Sequence, residues 1–367
     1  MADRLRAFFQ ARIGERYTAG HFLLFVVSLL LLTLAYQRIH IAGNLSAGVP
    51  GEPGISTHGH QIVFPSLLAL MGLTKSGFWV LYPSLLLAVL PLFWLHLARN
   101  CRVPLTICSL LGWSVYFSPM ATHLGIYANA DVVTNLLALS VVLLVRERPD
   151  ARVLAGALFF LLMLTHQRSL VLLPGFIAWH LHCEGRNDLK SIARAAAPYL
   201  AAALLFFVYK SGYYHVFPPS EQDKPLEFVE QYRRMFRLPG VIDPMVGGMF
   251  DYVLSIDNLT WNGLFYFSFL LLGVGAWRSG RLWLAAAAVL IYVGTVLQLL
   301  VAEDAHRLTG FLFVVTVMLA IEAQRPGWAL PKTTAWYFPL AFASVVAINP
   351  QMGLAFWLRG LRRFLDG

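Results

Sequence analysis

The sequence predicts an all-α fold, a polytopic transmembrane helical bundle, and three observations predict it. Of the 367 residues, 58% are hydrophobic and 13% are charged, about half the charge of an ordinary soluble domain. The mean hydropathy is +0.64. The charges gather in short clusters between apolar runs such as HFLLFVVSLLLLTLAY (21–36) and RLWLAAAAVLIYVGTVLQLLVA (281–302). Runs of about 18 or more apolar residues cross a hydrocarbon layer as helices. A barrel would need strict two-residue alternation, which the sequence lacks.

About eleven spans are expected, near 20–38, 77–98, 103–119, 130–146, 153–165, 168–183, 194–212, 261–277, 281–302, 306–323 and 333–349. The segments across 153–183 are short for spans and fit tilted or broken helices. With the N-terminus inside, the loops 99–102, 146–152, 184–194, 278–281 and 324–332 become cytosolic, and each carries at least two Lys or Arg. Arg4, Arg6, Arg12 and Arg16 precede the first apolar stretch. That stretch is long and lacks a prompt small-x-small cleavage site, so it reads as an uncleaved first helix. The tail LRGLRRFLDG departs from the charge rule and fits an amphipathic surface helix or a count off by one span.

The outer side then receives two long loops, 39–76 and 213–260. The first ends in IVFPSLLALMGL (62–73), too short to span and suited to an interfacial or re-entrant helix. With no repeat, low-complexity tract or soluble domain, residues 1–367 form a single transmembrane domain. The expected location is the bacterial inner membrane, N-terminus cytoplasmic, with the lipid bilayer and other membrane proteins as partners. The net charge of +9 belongs to helix ends, not to one patch, which argues against nucleic acid. Three cysteines without a CxxC pair carry no disulfide framework. His180 and His182, at an inner helix end, are expected to snorkel to water.

Ionisable residues at membrane depth are costly, which makes them candidates for function. Pooling the outer ends gathers His58, His60, Gln61, His123 and Asp131 with two polar knots. The first knot is THQR, holding His166, Gln167 and Arg168; the second is AEDAHR, holding Glu303, Asp304, His306 and Arg307. Arg168 and Arg307 suit bidentate grip of a phosphate. A carboxylate such as Asp131 could take a proton from an attacking hydroxyl or hold a divalent metal ion. His58-x-His60 alone is a weak metal signal, and no metal set is assigned. Arg233, Arg234 and Arg237 form a basic stripe in the second loop, and Glu52 is an isolated outer carboxylate.

This arrangement resembles the GT-C-type glycosyltransferases, over about the first half of the chain. The likeness is carried by the long first outer loop with its juxtamembrane helix HGHQIVFPSLLALMGL (58–73), the segment GIYANADVVTNLLALSVVLL (125–144), and the basic outer ends THQR and AEDAHR. The resemblance implies transfer of a sugar from a polyprenyl-phosphate carrier on the non-cytosolic face, with Asp131 in the place of the acidic residue before the fourth helix. His166, Gln167, Arg168, Asp304, His306, Arg307, Arg233 and Arg234 are the candidates for binding the lipid-linked sugar. Such enzymes carry an Asp or Glu early in the first loop as base; here Glu52 stands in a Pro-Gly stretch, with His58 and His60 as the other candidates. Two alternatives stay open. One is an O-antigen-type polymerase or ligase, which the basic loop 213–260 fits. The other is a transporter or a non-enzymatic subunit of a membrane complex.

Overall fold

The computed structural model describes residues 94–117, 131–216, 263–299 and 311–348. Among the described residues the chain is helical, with no strand. Residues 94–100 are helical, followed by α1 (Leu105–Phe117), α2 (Asp131–Glu147), α3 (Arg152–Thr165), α4 (Leu173–Glu184) and α5 (Leu189–Val216). Then come α6 (Ser268–Arg278), α7 (Leu282–Leu299), α8 (Leu312–Glu322) and α9 (Pro331–Ile348), with single 3₁₀ segments at Gln167–Leu172 and Gly263–Phe267. The expected spans 20–38 and most of 77–98 lie outside the described residues. Among the described residues, one helix is long and apolar enough by length and composition to cross a bilayer, Leu189–Gly212 within α5. The other described helices that answer to expected spans are shorter, several of them largely apolar.

Local chemistry sets the boundaries. α4 begins with a proline at its first turn, where the missing N–H has no helical partner to lose. It ends on Gly185 at φ 65°, a left-handed conformation that glycine takes without a side-chain penalty. Asp188 caps α5: its carboxylate accepts the Ser191 backbone N–H at 2.9 Å and the Ser191 hydroxyl at 2.6 Å. The α6–α7 turn passes through Gly280 at φ 70°, and the α8–α9 link through Gly327 at φ 78°.

The helices pack in pairs: α2 on α3, α3 on α5, α4 on both α5 and α7, and α6 on α7. α8 runs through the middle against α2, α6 and α7. Every residue from Leu312 to Glu322 is buried, as an all-round apolar helix requires. Phe159, Phe176 and Tyr199, from α3, α4 and α5, meet edge-on or tilted at 5.6–6.4 Å between ring centres. Trp179 of α4 donates its indole N–H to the Val142 carbonyl of α2 at 3.0 Å.

Glycines bring backbones together at three crossings. A Cβ on Gly175 of α4 would stand 2.3 Å from Ile291 Cγ1 of α7, and one on Gly294 of α7 would stand 2.5 Å from the Val171 carbonyl oxygen. A Cβ on Gly156 of α3 would meet the Pro198 carbonyl oxygen of α5 at 2.7 Å. Without a side chain at these positions, the facing elements can approach closely.

Candidate functional site

The hairpins sort the helix ends into two groups. Asp131, Thr165, the 3₁₀ segment Gln167–Leu172, the end of α7 and the start of α8 share one end. The ends of α2, α4, α6 and α8, with the starts of α3, α5 and α7, share the other.

At the first end, α3 stops after Thr165 because His166 turns to extended backbone, φ −152° and ψ 105°. Its N–H still closes the last helical turn on the Leu162 carbonyl at 2.9 Å, while its own carbonyl accepts the Ser169 N–H at 3.0 Å. The chain therefore tightens into the 3₁₀ segment before α4 begins. The His166 side chain is buried and stands edge-on to Phe311, ring centres 6.3 Å apart. Gln167 Oε1 accepts a hydrogen bond from Lys210 Nζ of α5 at 2.6 Å. Lys210 was absent from the sequence reading; the available signal was a lone lysine at the end of an apolar run, VYKSG, which alone reads as a helix terminus.

Among the candidates, His166 and Gln167 have described side chains at this end. Asp131 opens α2 and Arg168 lies in the 3₁₀ segment by their backbones. Glu52, His58, His60, Arg233, Arg234, Asp304, His306 and Arg307 lie outside the described residues. Among the described residues, no three His, Cys, Asp or Glu side chains gather as a metal set.

The second end holds a charge cluster that the sequence reading took only as a row of topology markers. Glu322, at the end of α8, is wholly buried. Arg281 Nη1 donates to its Oε2 at 3.0 Å, and His182 Nε2 lies 3.1 Å from the same oxygen. Arg325 Nε stands 3.1 Å from Oε1 and Arg146 Nε 3.9 Å from it. Both are ionic contacts without hydrogen-bond alignment, since neither Oε1 nor Arg146 Nε has a hydrogen-bond partner among the described residues. Arg281 also donates to the Pro326 carbonyl at 2.9 Å and lies 6.0 Å from the Trp328 ring centre.

A second pair flanks it. Arg152 reaches Glu184 Oε1 through Nε at 2.8 Å and Nη2 at 2.6 Å. Here the expectation for His180 and His182 is corrected. Neither snorkels: His180 is fully buried, its Nε2 2.7 Å from the Pro149 carbonyl and its Nδ1 3.2 Å from the Tyr199 hydroxyl. The Pro149 carbonyl can only accept, so Nε2 carries the proton and Nδ1 accepts from Tyr199. His182 is held between Glu322 and Arg325. Internal partners were available at 2.7–3.2 Å, and a bonded buried ring needs no water.

No family model, curated protein or solved structure matches this chain.

Proposed function

We propose that the chain is an integral membrane glycosyltransferase that moves a sugar from a lipid-phosphate carrier at the end of the bundle where α3 breaks into its 3₁₀ turn. The observation that carries this reading is the packing of His166 against Phe311. It sets His166 of the THQR knot beside Phe311, and Arg307 precedes Phe311 by four residues in the chain. That sequence proximity supports assigning both polar knots to one site.

The membrane reading draws support from the outside of the helices. On α5, Leu200, Leu204, Leu205, Phe207 and Val208 are each at least half exposed. Val289 and Val293 of α7 and Leu270 and Val274 of α6 are exposed too. Apolar side chains exposed along three helices would be costly against water, whereas a bilayer accommodates them. The basic clusters at the opposite end fit a cytosolic side.

In the proposed reaction, Asp131, Glu52 or one of His58 and His60 takes the proton from an acceptor hydroxyl. The freed oxygen attacks the anomeric carbon, and the bond from that carbon to the carrier's phosphate oxygen breaks. Arg168, Arg307 and Lys210 bear the charge on the departing phosphate. A divalent ion at Asp131 would do the same electrostatic work. Arg168→Ala and Arg307→Ala, each present at normal levels in the membrane, are expected to lose transfer of labelled sugar from a polyprenyl-phosphate donor. Full transfer by both variants overturns the phosphate assignment. Carbonate extraction of isolated membranes tests the location: release of the chain into the supernatant overturns it.

A further inference from the structure

At the opposite end of the bundle, the ratio of charges around Glu322 is unusual. Arg146, Arg281 and Arg325 all lie within 3.9 Å of its carboxylate, so three positive charges face one negative. Each guanidinium carries five N–H donors, and one carboxylate offers about four acceptor positions. The surplus is visible in individual atoms. Arg146 Nε is buried without a hydrogen-bond partner among the described residues. His182 Nε2 contacts both Glu322 Oε2 and Arg325 Nη1 at 3.1 Å, and one ring nitrogen cannot donate to the first and accept from the second. If its proton goes to the carboxylate, the Arg325 Nη1 donors are left pointing at a group that cannot take them.

The three arginines are not sealed in. Their side chains keep 27%, 17% and 25% exposure for Arg146, Arg281 and Arg325, while Glu322 keeps none. The carboxylate thus forms the floor of a basic cluster whose rim is open to the outside. Exposed Trp277 and Leu282 flank the turn that carries Arg281, and exposed Trp336 lies in the second turn of α9. Tryptophan at the ends of apolar helices marks headgroup depth in a bilayer.

We infer that this cluster binds a phosphate group, and that the phosphate is the headgroup of an anionic phospholipid. Arg146 and Arg325 hold its oxygens with the donors that Glu322 leaves over, and Arg281, already committed to Glu322 and Pro326, supplies charge. The phosphate site stands on the arginines alone; only the lipid as its source rests on the membrane reading.

The test uses the purified full chain in a neutral detergent, with phosphatidylglycerol, phosphatidylcholine and inorganic phosphate as probes. Native mass spectrometry reads the lipid retained, and the midpoint of thermal unfolding reads stabilisation. Wild type is expected to retain phosphatidylglycerol several-fold over phosphatidylcholine. Arg146→Gln and Arg325→Gln are expected to lose that preference, and Arg186→Gln, at an exposed loop arginine, to keep it. Glu322→Gln is the variant that separates a site from a clamp. Removing the competing carboxylate is expected to raise phosphatidylglycerol retention, whereas a purely structural cluster predicts lower stability with no gain in lipid. If an arginine-to-glutamine variant does not fold, Arg146→Lys keeps the charge without the fork and should weaken retention several-fold. Stabilisation by inorganic phosphate without any preference for phosphatidylglycerol supports the site and overturns the lipid as its source. Equal retention by wild type, both glutamine variants and Glu322→Gln overturns the whole inference. Sugar transfer is scored separately, so neither result stands in for the other.

Discussion

Glu322 and His182 meet at 3.1 Å across 140 residues of sequence. The contact ties the end of α8 to the end of α4, and Arg281 extends it to the start of α7. A carboxylate with no exposed surface is tolerated in the interior only when cations and donors surround it.

Glu322→Ala should therefore be far more damaging than a surface substitution. It leaves three guanidiniums facing one another with no counter-charge, and breaking a buried ion pair costs about 3–5 kcal/mol. Reversible unfolding in detergent would measure this. A variant within experimental error of wild type would show that the cluster does not hold the helix ends together.

The glycine crossings predict opposite responses to one methyl group. Gly294→Ala puts a Cβ 2.5 Å from the Val171 carbonyl oxygen, a backbone atom that cannot turn aside, so α7 must separate from the 3₁₀ turn. Gly273→Ala meets nothing within 4 Å and gains helix propensity of up to about 1 kcal/mol. Thermal unfolding should rank Gly273→Ala at or above wild type and Gly294→Ala clearly below it. The reverse order would refute the packing of α7 on the 3₁₀ turn.

Asp188 makes part of the stability pH-dependent. Its hydrogen bonds from the Ser191 hydroxyl and backbone N–H hold its carboxyl below the usual carboxylate range. A folded-state value below the unfolded one adds stability above the unfolded value, near 3.9, and that stability disappears as pH falls through the folded value. Asp188→Ala should lower the unfolding midpoint at neutral pH and flatten its decline in acid. Asp188→Asn keeps a capping side chain, so it should preserve more of the neutral-pH stability while also losing the acid dependence. An unchanged acid profile in both would remove the cap from the account.

Burial pushes the Cys101 thiol up to about 11, with Arg146 pulling the other way less strongly. The thiolate is the reactive form. In the native chain at pH 8, Cys101 should stay unmodified by maleimide, and Cys108, fully buried, should resist with it. Both should react once the chain is unfolded. Rapid native labelling at Cys101, located by peptide mapping, would contradict its placement beneath the helix end.

Helical order was legible because apolar runs and charged breaks alternate along the chain. The run 130–146 became α2 at Asp131–Glu147, and 153–165 became α3 at Arg152–Thr165. The segment expected at 168–183 begins instead as a 3₁₀ turn, Gln167–Leu172, and only then becomes α4. Hydropathy does not distinguish these states, since both bury the same side chains; the difference lies in where His166 places its backbone carbonyl. At the polar end, THQR was legible as a candidate because an arginine and a histidine interrupt apolar sequence. Its neighbours Lys210 and Phe311 were not, because they approach it from 43 and 145 residues away.

By itself, the sequence determined that the described chain is helical and where its charged breaks fall, because both depend on residues within a turn or two of each other. It also marked the basic residues near the ends of α2, α4, α7 and α8. Tertiary structure alone decided what those residues do. Arg146, His182, Arg281 and Arg325 converge on Glu322 only because α8 threads between helices that pack at glycines. Charge and hydropathy are properties of a segment, whereas the partner of a buried carboxylate is chosen by which helix ends the packing brings within a few ångströms.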